Sequence, residues 1–534
     1  MIRIEPAFRR PGTWPTRRRL GIGFVFAFVL ARPEGGAAQE LPATGAEQAS
    51  WNRSTTHLEV TAFLDEIQER SDRILVRTIG RTVQERPLPV AFLGAPPRPD
   101  PADSIEAEKP TILILGSVHG DEPSGREGAL QLIRALTLGE DRELLDRVDV
   151  IVVPNVNPDG GAAGIRINAD GYDLNRDWVV AESPEVGAIL DEVLTRFWPE
   201  VFLDVHNGGA FPYHLTYQAT LDPAADPDLV EFSRGPMFDH VREHLESSEM
   251  SMYWYSGPSF DEDRDLWYWR TTEPWPRKQH SYGGLQDMIT ILFEIPERHS
   301  LEVGAASARE GMLGLVRFVA EHPQRVRSVV SEARRRTVES PLNEVHLELE
   351  ATAYPGEDEF FVIRSGAADP DGSPPSDDGV QRVEGENRTR YVPARSRPTP
   401  WGYVLDPGLE EVVGLLRRHG VRVEELADTV SVAAERFRVV EARRSDEPYQ
   451  NHDMLDVDVR LDVATMTLPR GGYLVRVGQP GGRLIPQLLE PDAVDSVVRW
   501  NLLDAVLPAL GASDAFLPIY RLISPIEIPV LPPA

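Results

Sequence analysis

Cysteine is absent from all 534 residues. That excludes disulfides, thiolate metal ligands and a cysteine nucleophile. The fold must therefore be held by its apolar core, which a chain of this length can supply. Lysine is almost absent as well: Lys109 and Lys278 are the only two, and every other basic side chain apart from histidine is arginine. Positive charge is short overall, with 55 Lys and Arg against 85 Asp and Glu and a net charge of −30. Such a balance disfavours nucleic acid as a partner, because phosphates demand a basic surface. It leaves room for a local cationic site built from Arg166 and Arg176. No internal repeat is visible, and past the N-terminal segment no apolar run approaches the roughly 18 residues needed to span a bilayer. What is present is the composition of a globular protein, 41% hydrophobic and 8% aromatic.

Residues 1–38 read as an export signal. Arg17-Arg18-Arg19 precedes an apolar stretch from Leu20 to Ala31, too short for a membrane span and right for a signal-peptide core. Gly36-Ala37-Ala38 offers a cleavage site, and Thr16-Arg17-Arg18-Arg19-Leu20 resembles a twin-arginine signal. The expectation is an exported protein, periplasmic or extracellular, with no stable membrane insertion after cleavage. No cysteine is available for a lipoprotein anchor.

After an N-terminal arm at 39–54, apolar strand-like runs alternate with helical periodicity. The spacing predicts a helix over 57–70 and strands at 74–79, 88–93 and 111–115. A helix follows at 125–138, a strand at 149–153, a helix at 184–197, and strands at 200–205 and 289–293. Residues 303–336 read as a long helical region. This alternation predicts a three-layer αβα domain over 55–339 with a mixed, largely parallel sheet. Beyond residue 340 the pattern changes to strand-like alternation, turn-rich stretches such as Gly366 to Gly379, and a short helix at 407–419. Residues 340–534 are read as an accessory α+β region.

The chemistry concentrates at strand ends, where ligand sites on such sheets gather. Thr111-Ile112-Leu113-Ile114-Leu115 runs into a loop carrying His119-Gly120-Asp121-Glu122, and Phe202-Leu203-Asp204-Val205 delivers His206. Two imidazoles and a carboxylate are a ligand set for catalytic zinc, which takes three protein ligands and keeps a position open. A lone His-x-x-Glu is a common polar loop, so context decides. Here it is followed in order by Asn155-Val156-Asn157-Pro158-Asp159-Gly160, Arg166-Ile167-Asn168, and Gly171-Tyr172-Asp173-Leu174-Asn175-Arg176-Asp177, with Phe293-Glu294 downstream.

From about residue 55 to about 335 this ordered set resembles the zinc carboxypeptidase family, the carboxypeptidase A-like metallopeptidases, and the whole chain looks like its large exported bacterial members. The resemblance implies one Zn2+ per chain, held by His119, Glu122 and His206. It implies that Glu294 is general base and acid to the zinc-activated water, and that Arg166 stabilises the oxyanion. Asn175 and Arg176 would clamp the terminal carboxylate of a peptide substrate, and Asp173 would orient a ligand histidine. Asp121 stands where digestive members carry arginine. The family's mobile tyrosine has its nearest counterpart in Tyr282, at a compressed spacing. Two other functions stay open on these residues. One is a zinc amidase of the same fold acting on peptidoglycan stem peptides or N-acyl amino acids; the other is a catalytically inactive binding module.

Overall fold

The computed structural model describes residues 40–102, 108–354, 359–363, 380–505 and 515–532. The signal expected at 1–38 and the turn-rich stretch 366–379 lie outside the described residues. The part of the chain from Pro42 onward forms one compact unit.

Its centre is an eight-stranded mixed sheet. In chain order the first strands are β1 (Ile74–Arg81), β2 (Pro87–Leu93), β3 (Thr111–Gly116), β4 (Asp149–Val153), β5 (Val201–Asn207), β6 (Leu215–Ala219), β7 (Met252–Trp254), β8 (Gly257–Asp261), β9 (Leu266–Arg270) and β10 (Ile289–Ile295). Across the central sheet they run β1-β2-β4-β3-β5-β10-β6-β7. The four central strands β4, β3, β5 and β10 are parallel, and antiparallel pairs flank them. Every residue of β3, β4 and β10 is buried. That is why these segments read as unbroken apolar runs: both faces of the sheet are covered, so there is no solvent side to make polar.

The pleat divides β3 between two cores. Ile112 and Ile114 join one face, Leu113 and Leu115 the other. The first face is covered by helices α1 (His57–Arg70), α2 (Ser124–Thr137), α3 (Phe238–Ser247) and α4 (Leu301–Glu321). α1 starts at a capping box, Thr56 receiving the Glu59 amide and Glu59 receiving the Thr56 amide. Gly125 lets α2 lie flat on the sheet: a Cβ there would meet the Val205 carbonyl oxygen at 2.5 Å. The helical region expected at 303–336 is made of two helices, α4 and α5 (Pro323–Glu339), separated at His322. Pro323 has no amide to donate and forces its predecessor out of helical geometry.

The rest of the chain adds β11 (Glu344–Thr352), β12 (Glu359–Ile363), β13 (Val380–Arg388), β14 (Arg390–Pro398), β15 (Gly402–Leu405), helix α6 (Glu410–Arg418), β16 (Glu424–Glu425), β17 (Val430–Arg444), β18 (Leu455–Leu468), β19 (Tyr473–Arg476) and β20 (Phe516–Leu522). Six of these strands form an antiparallel sheet in the order β16-β19-β15-β20-β17-β18. Strand pairing and a shared core join the regions on either side of residue 340. β13 pairs in parallel with β9, Gly385 opposite Trp267. Leu405, Leu416, Phe437 and Ile485 enter the same core as Leu113, Phe202 and Leu285. The second face of the central sheet is packed by the helical segments Pro184–Ile189 and Gln279–Leu285, and apolar residues from beyond residue 340 join the same core.

Candidate metal centre and active site

Three adjacent parallel strands deliver the site. β3 ends at Gly116 and runs into the loop bearing His119 and Glu122. His206 and Glu294 sit opposite one another in the β5–β10 register. Gly120 allows the loop to fold back, since a Cβ there would meet the Gly160 backbone at 2.2 Å. The Gly120 amide donates to the Arg166 carbonyl oxygen at 3.2 Å, which brings the Arg166 segment alongside.

His119, Glu122 and His206 are all buried and offer ligand atoms within 4.8 Å of one another. Each imidazole has its outer nitrogen engaged. His119 Nε2 lies 2.9 Å from Asp173 Oδ1, and His206 Nε2 lies 2.7 Å from Asp204 Oδ2. With Nε2–H donating to those carboxylates, both rings turn an Nδ1 lone pair inward. The two Nδ1 atoms are 2.9 Å apart. Glu122 Oε1 is 2.8 Å from the first and Oε2 is 2.7 Å from the second. Four acceptors this close repel one another unless a cation or a proton lies among them, and two imidazoles with a carboxylate form a zinc donor set. The electrostatics agree. Burial opposes charge on His206, yet Asp204 and Glu122 push its pKa well above the ordinary value. Burial likewise opposes charge on Glu122, yet His206 and His119 hold it well below the carboxylate range. The pocket stabilises positive charge at its centre.

Glu294 stands beside this cluster with Tyr255 as its side-chain hydrogen-bond partner. Burial pushes its pKa up to about 7, helped by the Glu122 carboxylate. Arg166 donates from Nε to Asp173 Oδ2 at 3.0 Å and from Nη1 to Glu122 Oε1 at 3.1 Å, and its side chain is 42% exposed, so one end faces the opening. Asp173 opens the short turn Leu174–Arg176, its carboxylate accepting the Asn175 amide at 2.9 Å. Asn175 is locked: its side-chain oxygen accepts the Gln279 amide at 2.9 Å, which sets its amide nitrogen 3.2 Å from His206 Nε2. Arg176 is half-buried, and its guanidinium donates to the Asn175 carbonyl oxygen at 2.8 Å.

The fold thus brings together His119, Glu122, His206, Glu294, Arg166, Asp173, Asn175 and Arg176. It does not bring Tyr282 to them. Tyr282 is fully buried in the second core, its hydroxyl 2.9 Å from His419 Nδ1. The tyrosine beside Glu294 is Tyr255, 39 residues before it rather than 12. The compressed spacing of Tyr282 was the warning. Two more residues of the site escaped the sequence reading. Asp204 precedes His206 by two in a strand, so both side chains share a face, and that spacing was a usable signal. Lys278 gave none; it is buried near Arg176, held by Glu273 and Thr272, and burial pushes its pKa down to about 8. Among the aromatic residues near the site, Trp254 and Trp269 are core packing, the former stacked on Phe238 at 3.8 Å.

Residues 60–225 match the zinc carboxypeptidase family. Over 462 residues the chain is 22% identical to carboxypeptidase 2 of Trichophyton rubrum, covering 83% of this chain and 81% of that protein. It is 30% identical over 169 residues to carboxypeptidase E of Caenorhabditis elegans, covering 28% of this chain and 34% of the relative. A metallo-carboxypeptidase structure from Burkholderia cenocepacia superposes with a TM-score of 0.40 at 23% identity, over 51% of this chain and 71% of that one. No helix among the described residues is long and apolar enough to cross a membrane.

Proposed function

We propose that this chain, whose residues 60–225 match the zinc carboxypeptidase family, is an exported metallopeptidase removing C-terminal residues from peptides with one Zn2+ per chain. The observation that carries the reading is the convergence of His119 Nδ1, His206 Nδ1 and both Glu122 oxygens within 2.7–2.9 Å contacts. His119, Glu122 and His206 would hold a zinc ion, which would supply Lewis acidity and lower the pKa of water from about 15.7 to about 7. The remaining work falls to the protein. Glu294, poised near pH 7, takes the proton of the attacking water and hands it to the leaving amine. Arg166 directs its guanidinium at the developing oxyanion, with Asp173 fixing its other edge. Tyr255 donates to Glu294 and sets its orientation. Asn175 and Arg176 receive the substrate's free carboxylate, Arg176 through a fork that lysine cannot reproduce.

Two experiments test this. Elemental analysis of the folded protein should find one zinc per chain, and His206→Ala should lose most of it, because removing one of three ligands leaves an incomplete site. A folded wild type that binds no zinc even when it is added would end the reading. Hydrolysis of a free-acid peptide and of its C-terminal amide is then compared in wild type and Arg176→Ala. The wild type should strongly prefer the acid. Arg176→Ala should lose about 2–3 kcal/mol on the acid, the scale of a charge-assisted contact, and little on the amide. Equal cleavage of both by the wild type would make the chain an endopeptidase or amidase and end the carboxypeptidase reading.

A further inference from the structure

The region after residue 340 reaches the His119–Glu122–His206 site through a hairpin tip. The hairpin β17–β18 ends in a two-residue turn, Gln450-Asn451, closed by paired hydrogen bonds between Tyr449 and His452 at 2.8 and 2.9 Å. Both central residues have positive φ, 51° at Gln450 and 64° at Asn451. Two-residue turns of this kind select Asn-Gly or Gly-Gly, since the left-handed region suits those residues. Asn451 fits that rule. Gln450 does not, and an ill-suited residue held in the left-handed region marks a position where something other than the turn sets the identity.

The side chain shows what that is. Gln450 Oε1 accepts the Asp173 amide at 3.0 Å, and Gln450 Nε2 donates to the Asp173 carbonyl oxygen at 2.8 Å. One glutamine thus satisfies both backbone groups of a residue 277 positions earlier. Neighbouring contacts brace the tip. Asn451 Nδ2 donates to the Asp170 carbonyl oxygen at 3.3 Å, and His452 Nε2 lies 2.9 Å from Glu182 Oε2, which also accepts the Tyr172 hydroxyl at 2.9 Å. Asp173 is the hub of the site. Its carboxylate holds His119 Nε2 and Arg166 Nε, and its backbone begins the turn presenting Asn175 and Arg176.

We propose that Gln450 is a positioning residue: by clamping the Asp173 backbone it fixes the carboxylate that orients His119 and the turn that presents Asn175 and Arg176. The accessory region is then part of the active site's supporting shell. For its activity this inference rests on the metallocarboxypeptidase reading; for metal binding it does not. Groups that orient a ligand histidine commonly change metal affinity about 10–100-fold when lost, and Gln450 acts one step further out.

The test uses the full chain with Gln450→Gly and Gln450→Asn. Glycine suits the left-handed turn and removes the contact; asparagine tolerates the turn and keeps an amide, but is one methylene too short. Three quantities are measured: thermal midpoint, zinc affinity by chelator competition, and kcat/KM on a free-acid peptide. Both variants should melt at or near the wild-type temperature, bind zinc about 3–10-fold more weakly, and lose about tenfold or more in kcat/KM, a small displacement at the centre being enough for that. A lowered melting temperature with wild-type zinc affinity and kcat/KM would make Gln450 a structural clip only and overturn the proposal. So would variants indistinguishable from wild type in all three. If the wild type hydrolyses no free-acid peptide, the functional reading fails, and zinc affinity still decides the role of Gln450.

Discussion

At the scale of single residues, Glu294 shows how environment assigns chemistry. A glutamate in water titrates near 4.3. Buried at the end of β10 beside Glu122, this one is pushed up to about 7, where a base works best at neutral pH. Glu294→Gln keeps the shape and the Tyr255 contact while removing the proton acceptor. It should retain its zinc and fold and lose at least about 10²–10⁴-fold in turnover, measured as kcat beside metal content. Substantial residual turnover would place the base elsewhere. Asp204 and Asp173 teach the complementary lesson. Neither touches the ion's place, yet each fixes a histidine tautomer, and without them the inward Nδ1 lone pairs would be free to rotate away.

At the scale of elements, the site depends on the fit of α2 against β5. α2 begins two residues after Glu122, and its Ser124 amide donates to Asn207 Oδ1 at 3.1 Å. Gly125 makes the approach possible. Gly125→Val has no room for its side chain against the Val205 carbonyl oxygen, 2.5 Å from even the first added carbon. It should cost about 1–3 kcal/mol in stability, the usual scale of overpacking, read from denaturant unfolding. It should also weaken zinc binding, because α2 and β5 carry the neighbours of Glu122 and His206. Wild-type stability in this variant would mean that α2 can slide without cost.

At the scale of the whole molecule, the region after residue 340 is fastened to the central domain through buried polar links, and these confer a pH dependence. His419 Nε2 donates to the Val179 carbonyl oxygen at 2.7 Å while its Nδ1 faces the Tyr282 hydroxyl at 2.9 Å. Burial pushes the His419 pKa down to about 4. A histidine depressed in the folded state and near 6.5 when unfolded leaves the unfolded chain binding more protons between those values. Its stabilising contribution is therefore complete above pH 6.5 and is lost as pH falls toward 4. The loss is up to about 1.4 kcal/mol per pH unit. The thermal midpoint should drop through that window, and His419→Gln, which does not titrate, should show a shallower drop. Parallel profiles in the two proteins would remove His419 as the cause.

The sequence by itself determined the central sheet and singled out most of the residues that the fold gathers around His119, Glu122 and His206. Apolar runs flanked by polar loops fix the buried parallel strands, because a strand covered on both faces has no alternative composition. His119, Glu122, His206, Glu294, Arg166, Asp173, Asn175 and Arg176 were legible because they ride on strand ends and on a motif with local order. Only the tertiary structure decided the rest. Tyr255 against Tyr282 turned on which tyrosine the loops carry to Glu294, a matter of spatial approach that spacing along the chain does not encode. Helix α5 separated from α4 at Pro323, a local signal within reach of the sequence that helical periodicity outweighed. Gln450 and His419 had no signal at all. Each is an ordinary polar residue whose partners lie 277 and 137 positions away. A hydrogen bond across that distance exists only after two regions have packed, so its members carry no periodicity and no motif to announce them.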